Sequence, residues 1–252
     1  MVDFLDTSII VNSTTDFERD YEKSLFVLKN HDWRTTERVV SELRTIKERR
    51  KDIYKKIIGY KFRTEAVFED LYKKCFIHSC HRNNNDYAHV TNIFRHALRE
   101  CNAGWKDVIT PEMLEKFKGC IFPTITSIKV KSGMVIANFD NNPIYRDQHV
   151  IPNIVPTNKC KDLQKYLREE LRNSIAHKGD IKILINAILH GYYVHEVVIF
   201  RSTHGFFNDS ENIEKIKESI RRFYPDHPGL EVKDLSDVII IKDTTLSNIL
   251  SA

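Results

Sequence analysis

A charged residue inside an apolar, β-branched run constrains this chain more than any other feature. The stretch Met1 to Val11 contains Phe4-Leu5-Asp6-Thr7-Ser8-Ile9-Ile10 and reads as a buried strand. A carboxylate in such a strand needs a partner or a cation, because burying a lone charge is costly. The alternative is that Asp6 stands at the strand's end and caps the next turn through Thr7 and Ser8. Three further strand-like runs follow, Val194 to Phe200, Val238 to Ile241 and, more weakly, Ile121 to Ile125. Helical segments separate them. That alternation predicts an α/β protein, a sheet joined by crossover helices.

The helical segments follow from spacing. Val39, Leu43, Ile46, Ile53 and Ile57 recur every three or four residues and predict a long helix over Thr35 to Ile58. Thr110-Pro111-Glu112 is a helix start, with Gly119 as its stop. Residues 125–155 read as a β-hairpin: Ser127 to Val130 and Met134 to Phe139, joined by Lys131-Ser132-Gly133 and followed by a turn at Asp140 to Pro143. A basic helix over Lys161 to Arg172, an apolar helix over Asp180 to Leu189 and a helix over Asn208 to Phe223 complete the set.

Composition excludes several classes. With 252 residues, 41% of them hydrophobic, the chain holds one sizeable core or a core with an added subdomain. Five cysteines, an odd number without a Cys-x-x-Cys pair, argue against a disulfide framework and for a reducing, cytoplasmic setting. The first apolar stretch is interrupted by Asp6, too short for a signal peptide core, and no other segment approaches membrane-spanning length, so no membrane partner is expected. A net charge of +4 permits a polyanionic partner without requiring one. A glycine-rich phosphate loop and a Gly-x-Ser-x-Gly elbow are both missing, which leaves ATPase and serine-hydrolase chemistry without support.

Two more carboxylates have apolar neighbours. Glu42 follows Val39 by three and precedes Ile46 by four, which turns it toward the helix's apolar side; the alternative is a surface pair with Arg38 or Lys47. Asp180 opens Ile181-Lys182-Ile183-Leu184-Ile185-Asn186-Ala187-Ile188-Leu189; the alternative is an N-cap after Gly179.

Taken in order, these strings resemble the PIN-domain nucleases. Phe4-Leu5-Asp6-Thr7-Ser8-Ile9-Ile10 is similar to the family's opening strand, Thr35 to Leu43 with Glu42 to its Glu-bearing helix, and Gly179-Asp180 with the run to Ile188 to its third signature. The match covers residues 1–58 and about 174–242. The resemblance implies a three-layer α/β/α fold around a five-stranded parallel sheet over residues 1–63 and 161–252. Residues 64–160 then form an inserted lobe, helical first and a β-hairpin after. It implies that Asp6, Glu42 and Asp180 gather at the carboxyl ends of the strands and hold Mg²⁺ or Mn²⁺ for hydrolysing RNA, single-stranded in this family. A fourth signature, Thr-x-Asp-x-x-Phe, corresponds to Ser202-Thr203-His204-Gly205-Phe206-Phe207, so His204 stands where the family carries Asp. Ser202 would position water or phosphate, His204 would join the site conditionally, and Asp209 would substitute as a metal ligand or belong to the helix cap, where Asn208 and Glu211 have capping-box spacing. A catalytically degenerate module that binds RNA or a protein is the competing reading.

Other clusters carry less weight. Cys75, His78, Cys80 and His81, with His89 beyond, are dense in zinc-capable side chains but lack paired spacing; buried thiols and surface imidazoles are the simpler expectation. Two basic bands suit RNA phosphates or are ordinary solvated helix faces: Lys47 to Lys51 with Lys55, Lys56, Lys61 and Arg63, and Lys159, Lys161, Lys165, Arg168 and Arg172. In the lobe, Lys129, Lys131 and Arg146 would meet phosphates, and Phe139 or Tyr145 would stack on bases. The rival use of the lobe is self-association into a homo-oligomer.

Overall fold

The computed structural model describes residues 1–59, 66, 68–71, 73–74, 85–103, 110–154, 157–171 and 178–240. The elements run β1 Val2–Leu5, α1 Thr7–Asn12, α2 Tyr21–Asn30, β2 Trp33–Thr36, α3 Glu37–Gly59, α4 Asn85–Glu100, α5 Pro111–Asn141, β3 Val150–Ile151, α6 Asn158–Glu170, α7 Lys178–Val194, β4 Val198–Arg201, α8 Ser210–Phe223 and β5 Leu230–Lys233. The chain divides into two units, one of Met1–Ser13, Asp20–Val39 and Asp147–Ala252, the other of Thr14–Arg19 and Val40–Arg146.

The first unit is an α/β layer structure built on a five-stranded sheet of order β3-β2-β1-β4-β5, parallel at every pairing. β1 and β4 are buried at every residue, as central parallel strands covered on both faces must be. Their register sets Leu5 opposite Arg201. Successive strands step outward from β1 through β2 to β3, and the chain then returns to place β4 on the other side of β1. The order therefore reverses between β1 and β4, the position where open α/β sheets form a crevice at their carboxyl ends. The expected first strand is shorter than its apolar run: after four residues of pairing the chain turns, and Thr7–Asn12 is helical with Ile9 and Ile10 buried. Two other strand boundaries also move. Helix α7 continues to Val194, and the last strand is β5, not Val238 to Ile241: Val238 follows a turn in irregular chain and Ile241 falls outside the described residues.

The second unit is helical. Its core gathers Tyr54 and Ile57 of α3, Val90, Ile93, Phe94 and Ala97 of α4, and Leu114, Phe117, Ile121, Ile125 and Ile128 of α5. This overturns the expected β-hairpin over 125–155 and the strand at Ile121 to Ile125. Thr110 caps α5 by accepting from the Met113 amide at 3.3 Å, as the sequence predicts, but the helix passes through Gly119 and Pro123 to Asn141. A proline inside a helix costs about 3 kcal/mol. Each of the five core side chains from Leu114 to Ile128 contributes roughly 1.5–3 kcal/mol on burial, so the apolar stripe outweighs the break. The sheet unit's limits differ from the expected 63 and 161: its first part ends at Val39 and its second begins at Asp147. Thr35 and Thr36 of β2 pair with Val150 and Ile151, which brings residues from 147 onward into the sheet unit, while α3 from Val40 onward packs in the helical core. Among the described residues α5 is also the one helix long and apolar enough to cross a membrane by length and composition, with 22% of its most apolar window buried. The expectation that no segment approaches that length is corrected accordingly.

Candidate functional site

The carboxyl end of β1 carries Asp6, and the structure explains why a charge sits there. The Asp6 amide donates to Arg201 O at 3.0 Å, extending the β1–β4 ladder one residue past the strand. The side chain is fully buried. Its Oδ2 accepts from Ser202 Oγ at 2.8 Å and from Ser8 Oγ at 3.0 Å, with His204 Nε2 at 3.7 Å. Its Oδ1 is buried without a hydrogen-bond partner. The two serines are themselves fixed: Ser202 Oγ accepts from the His204 amide and Ser8 Oγ from the Thr203 amide. On the β2 side, Thr35 Oγ1 donates to Leu5 O, and Thr36 Oγ1 accepts from the Val39 amide at the start of α3. Asp6 takes the N-cap position of α1, yet its side chain makes no cap hydrogen bond. Capping therefore does not account for it.

The structure brings Asp6, Ser202 and His204 together. Asp180 lies partly buried in the first turn of α7, which begins at Lys178, so it is not the N-cap. Glu42 is partly buried on α3 and belongs to the second unit. Asp209 caps α8, its Oδ1 accepting from the Asn212 amide at 3.1 Å. In the second unit Phe139 is buried, its ring edge-on to Tyr145 at 5.3 Å, so it is no platform for a base. Lys131 pairs with Asp16. Cys75, His78, Cys80 and His81 lie outside the described residues, as do Lys61, Arg63 and Arg172. His89 is buried between Tyr54 Oη at 2.6 Å and Glu18 Oε1 at 3.0 Å, a place in the core of its unit.

Sequence reasoning missed a second buried carboxylate, Asp3, on the same strand. Its Oδ1 lies 3.0 Å from Arg201 Nε and its Oδ2 2.5 Å from His31 Nδ1. Arg201 reaches on to Asp237 Oδ1 at 2.7 Å and Asp234 O at 2.9 Å. Burial works to lower the Arg201 pKa, but Asp237 and Asp3 outweigh it and hold the guanidinium above its usual range. The signal was available: Asp3, like Asp6, interrupts an apolar strand, and Arg201 closes another.

A buried carboxylate oxygen without a donor is destabilising by about 1–3 kcal/mol or more unless something supplies the missing partner. Asp6 Oδ1 therefore fits a cation. Among the described residues no three of His, Cys, Asp and Glu form a ready metal-holding group. Mg²⁺ does not need one, since it commonly binds through one or two carboxylates and keeps several waters. No protein-family model matches the chain, and neither does any curated protein or solved structure.

Proposed function

We propose that the first unit is a PIN-like, three-layer α/β/α nuclease core that hydrolyses RNA phosphodiester bonds with Mg²⁺ or Mn²⁺. One observation carries this most: Asp6 is fully buried at the sheet's switch point, held through one oxygen by Ser202 and Ser8 while the other has no partner. The five-stranded parallel sheet and the acid in the first turn of α7 add support. Asp6 and Asp180 are the carboxylates that would hold the cation. When bound, it supplies charge neutralisation and a water of lowered pKa. The chain's own part is orientation. Ser202 and Ser8 clamp Oδ2, so Oδ1 is the oxygen turned to the ligand, and the His204 and Thr203 amides lock both hydroxyls in place. His204, partly exposed, stands at the mouth of this arrangement.

His204 also favours a second reading. Its imidazole lies 3.7 Å from Asp6 Oδ2 and would fill the place of a cation, leaving a module that binds RNA or a protein without cutting. Cleavage of a single-stranded RNA in Mn²⁺ and in Mg²⁺ separates the two. Nuclease chemistry predicts activity in wild type, a loss of at least about a hundredfold in Asp6→Asn and Asp180→Asn, and a shift toward Mg²⁺ in His204→Asp, because imidazole is a poor Mg²⁺ ligand. Absence of cleavage by the wild type in either metal would leave the binding module.

A further inference from the structure

The two basic bands of the sequence differ once their partners are known. On α3, Arg50 is buried against Glu18 and Asp86, Arg49 pairs with Asp86, Lys51 with Glu48 and Lys55 with Asp52. That band is largely neutralised within its own unit. On α6, Lys161, Lys165 and Arg168 recur at the i, i+4 and i+7 positions of one helical face, opposite the turn of the helix that buries Cys160, Leu163 and Leu167. None of the three has an ion pair among the described residues, and Arg168 Nε is shielded from solvent with no hydrogen-bond partner. They line a concavity of about 280 Å³ with Gln164 and one acid, Glu169. Beside them, α8 packs on α6 and lays the Arg222 guanidinium 4.8 Å above the Tyr166 ring.

The geometry points to this face of α6 as a docking track for the phosphate backbone of single-stranded RNA. The assignment rests on the nuclease reading for its choice of polyanion. The hollow is at or below the small end of small-molecule pockets, which suits a phosphate group and not an enclosed ligand. Three cations without partners along one face match phosphates spaced along a strand, and a row of Lys and Arg is what gives sequence-independent binding. Arg222, fixed on Tyr166, extends the positive edge.

The test is binding of a fluorescent single-stranded RNA to the full chain in EDTA, followed by anisotropy at about 50 and 200 mM salt. The variants are Lys161→Glu/Lys165→Glu/Arg168→Glu and, as a control of equal charge change, Lys51→Glu/Lys55→Glu/Lys56→Glu. The α6 variant is expected to bind roughly tenfold or more weakly and to cut the salt slope by about 2, at about 0.7 for each phosphate that it no longer neutralises. Its Tm should stay at the wild-type value, and the control should bind within about twofold of wild type. Unchanged RNA binding by the α6 variant, or equal weakening in the control, overturns the track and leaves the nuclease reading standing. Charge-dependent binding on α6 in EDTA, with no cleavage by the wild type in Mg²⁺ or Mn²⁺, overturns the nuclease reading and leaves the track. Failure of the wild type to bind RNA in EDTA overturns the track, and cleavage in Mg²⁺ or Mn²⁺ then decides the nuclease reading by itself.

Discussion

Asp3 and Asp6 are two buried carboxylates three positions apart, one within β1 and one just past its end, and they have opposite electrostatic surroundings. Asp3 meets Arg201 and His31, and Arg201 continues to Asp237, so its charge is answered by protein. Asp6 meets two serine hydroxyls and a histidine at 3.7 Å, with one oxygen left over. The first arrangement sets a guanidinium against the carboxylate, although Asp3 Oδ1 and Arg201 Nε make no hydrogen bond, and it ties β1, β4 and the segment after β5 together. The second is neutralised by nothing stronger than a hydroxyl and sits where the strand order reverses. A buried carboxylate held against a guanidinium is a structural fixture; one that meets only hydroxyls and an imidazole at a switch point is a candidate for chemistry.

The largest effect should come from breaking the paired side. Asp3→Asn removes one carboxylate from a buried guanidinium and is expected to cost about 3 kcal/mol, the lower end for a broken buried pair because Asp237 still holds Arg201. Urea unfolding measures it. Asp6→Asn, by contrast, keeps an oxygen for Ser202 and Ser8 and removes a charge that no cation offsets, so stability should stay within about 1 kcal/mol of wild type. Equal losses in the two variants would erase the distinction.

The smallest effect is a pH dependence on the Asp3 side. Burial raises the Asp237 pKa, but Arg201 and Lys233 outweigh it and hold the carboxyl below its ordinary 3.8. A carboxylate with a lowered folded-state pKa stabilises fully above its unfolded value and loses that contribution as pH falls through the folded value. Wild type should therefore exceed Asp237→Asn by no more than about 1 kcal/mol at pH 6, since the group is partly exposed, with the gap closing as pH falls below the ordinary 3.8. A gap that did not narrow at all as pH fell would show that the charge is not what Asp237 contributes.

Asp6 was legible because a carboxylate among Phe4, Leu5, Ile9 and Ile10 violates the apolar pattern, and Ser202 was legible through the family resemblance. What joins them could not be read: the two lie 196 positions apart and meet only because β1 and β4 are neighbours. Asp3 went unread for a similar reason, its cation being 198 residues away in Arg201. Residues 125–139 failed differently. Ile125, Ile128, Val130, Val135 and Ile136 suit a strand as well as a helix, and Lys131-Ser132-Gly133 imitates a turn. Only the core formed with Phe94 and Ile93 decides for the helix. β5 is four residues long with two buried apolar positions, too little for a pattern to register. Capping was local and therefore readable, as Thr110 bears out, while at α8 the cap falls on Asp209, one residue past the Asn208 of the expected capping box.

The most direct measurement is calorimetric titration of Mn²⁺ into wild type, Asp6→Asn and Asp237→Asn, with Tm followed at saturation. A half-paired Asp6 predicts about one saturable site in wild type and in Asp237→Asn, with stabilisation of about 2.7 kcal/mol at a hundred times Kd. Asp6→Asn should show neither the binding heat nor the rise in Tm. Saturable Mn²⁺ binding of equal strength in all three proteins would place the cation elsewhere and contradict a chemical role for Asp6.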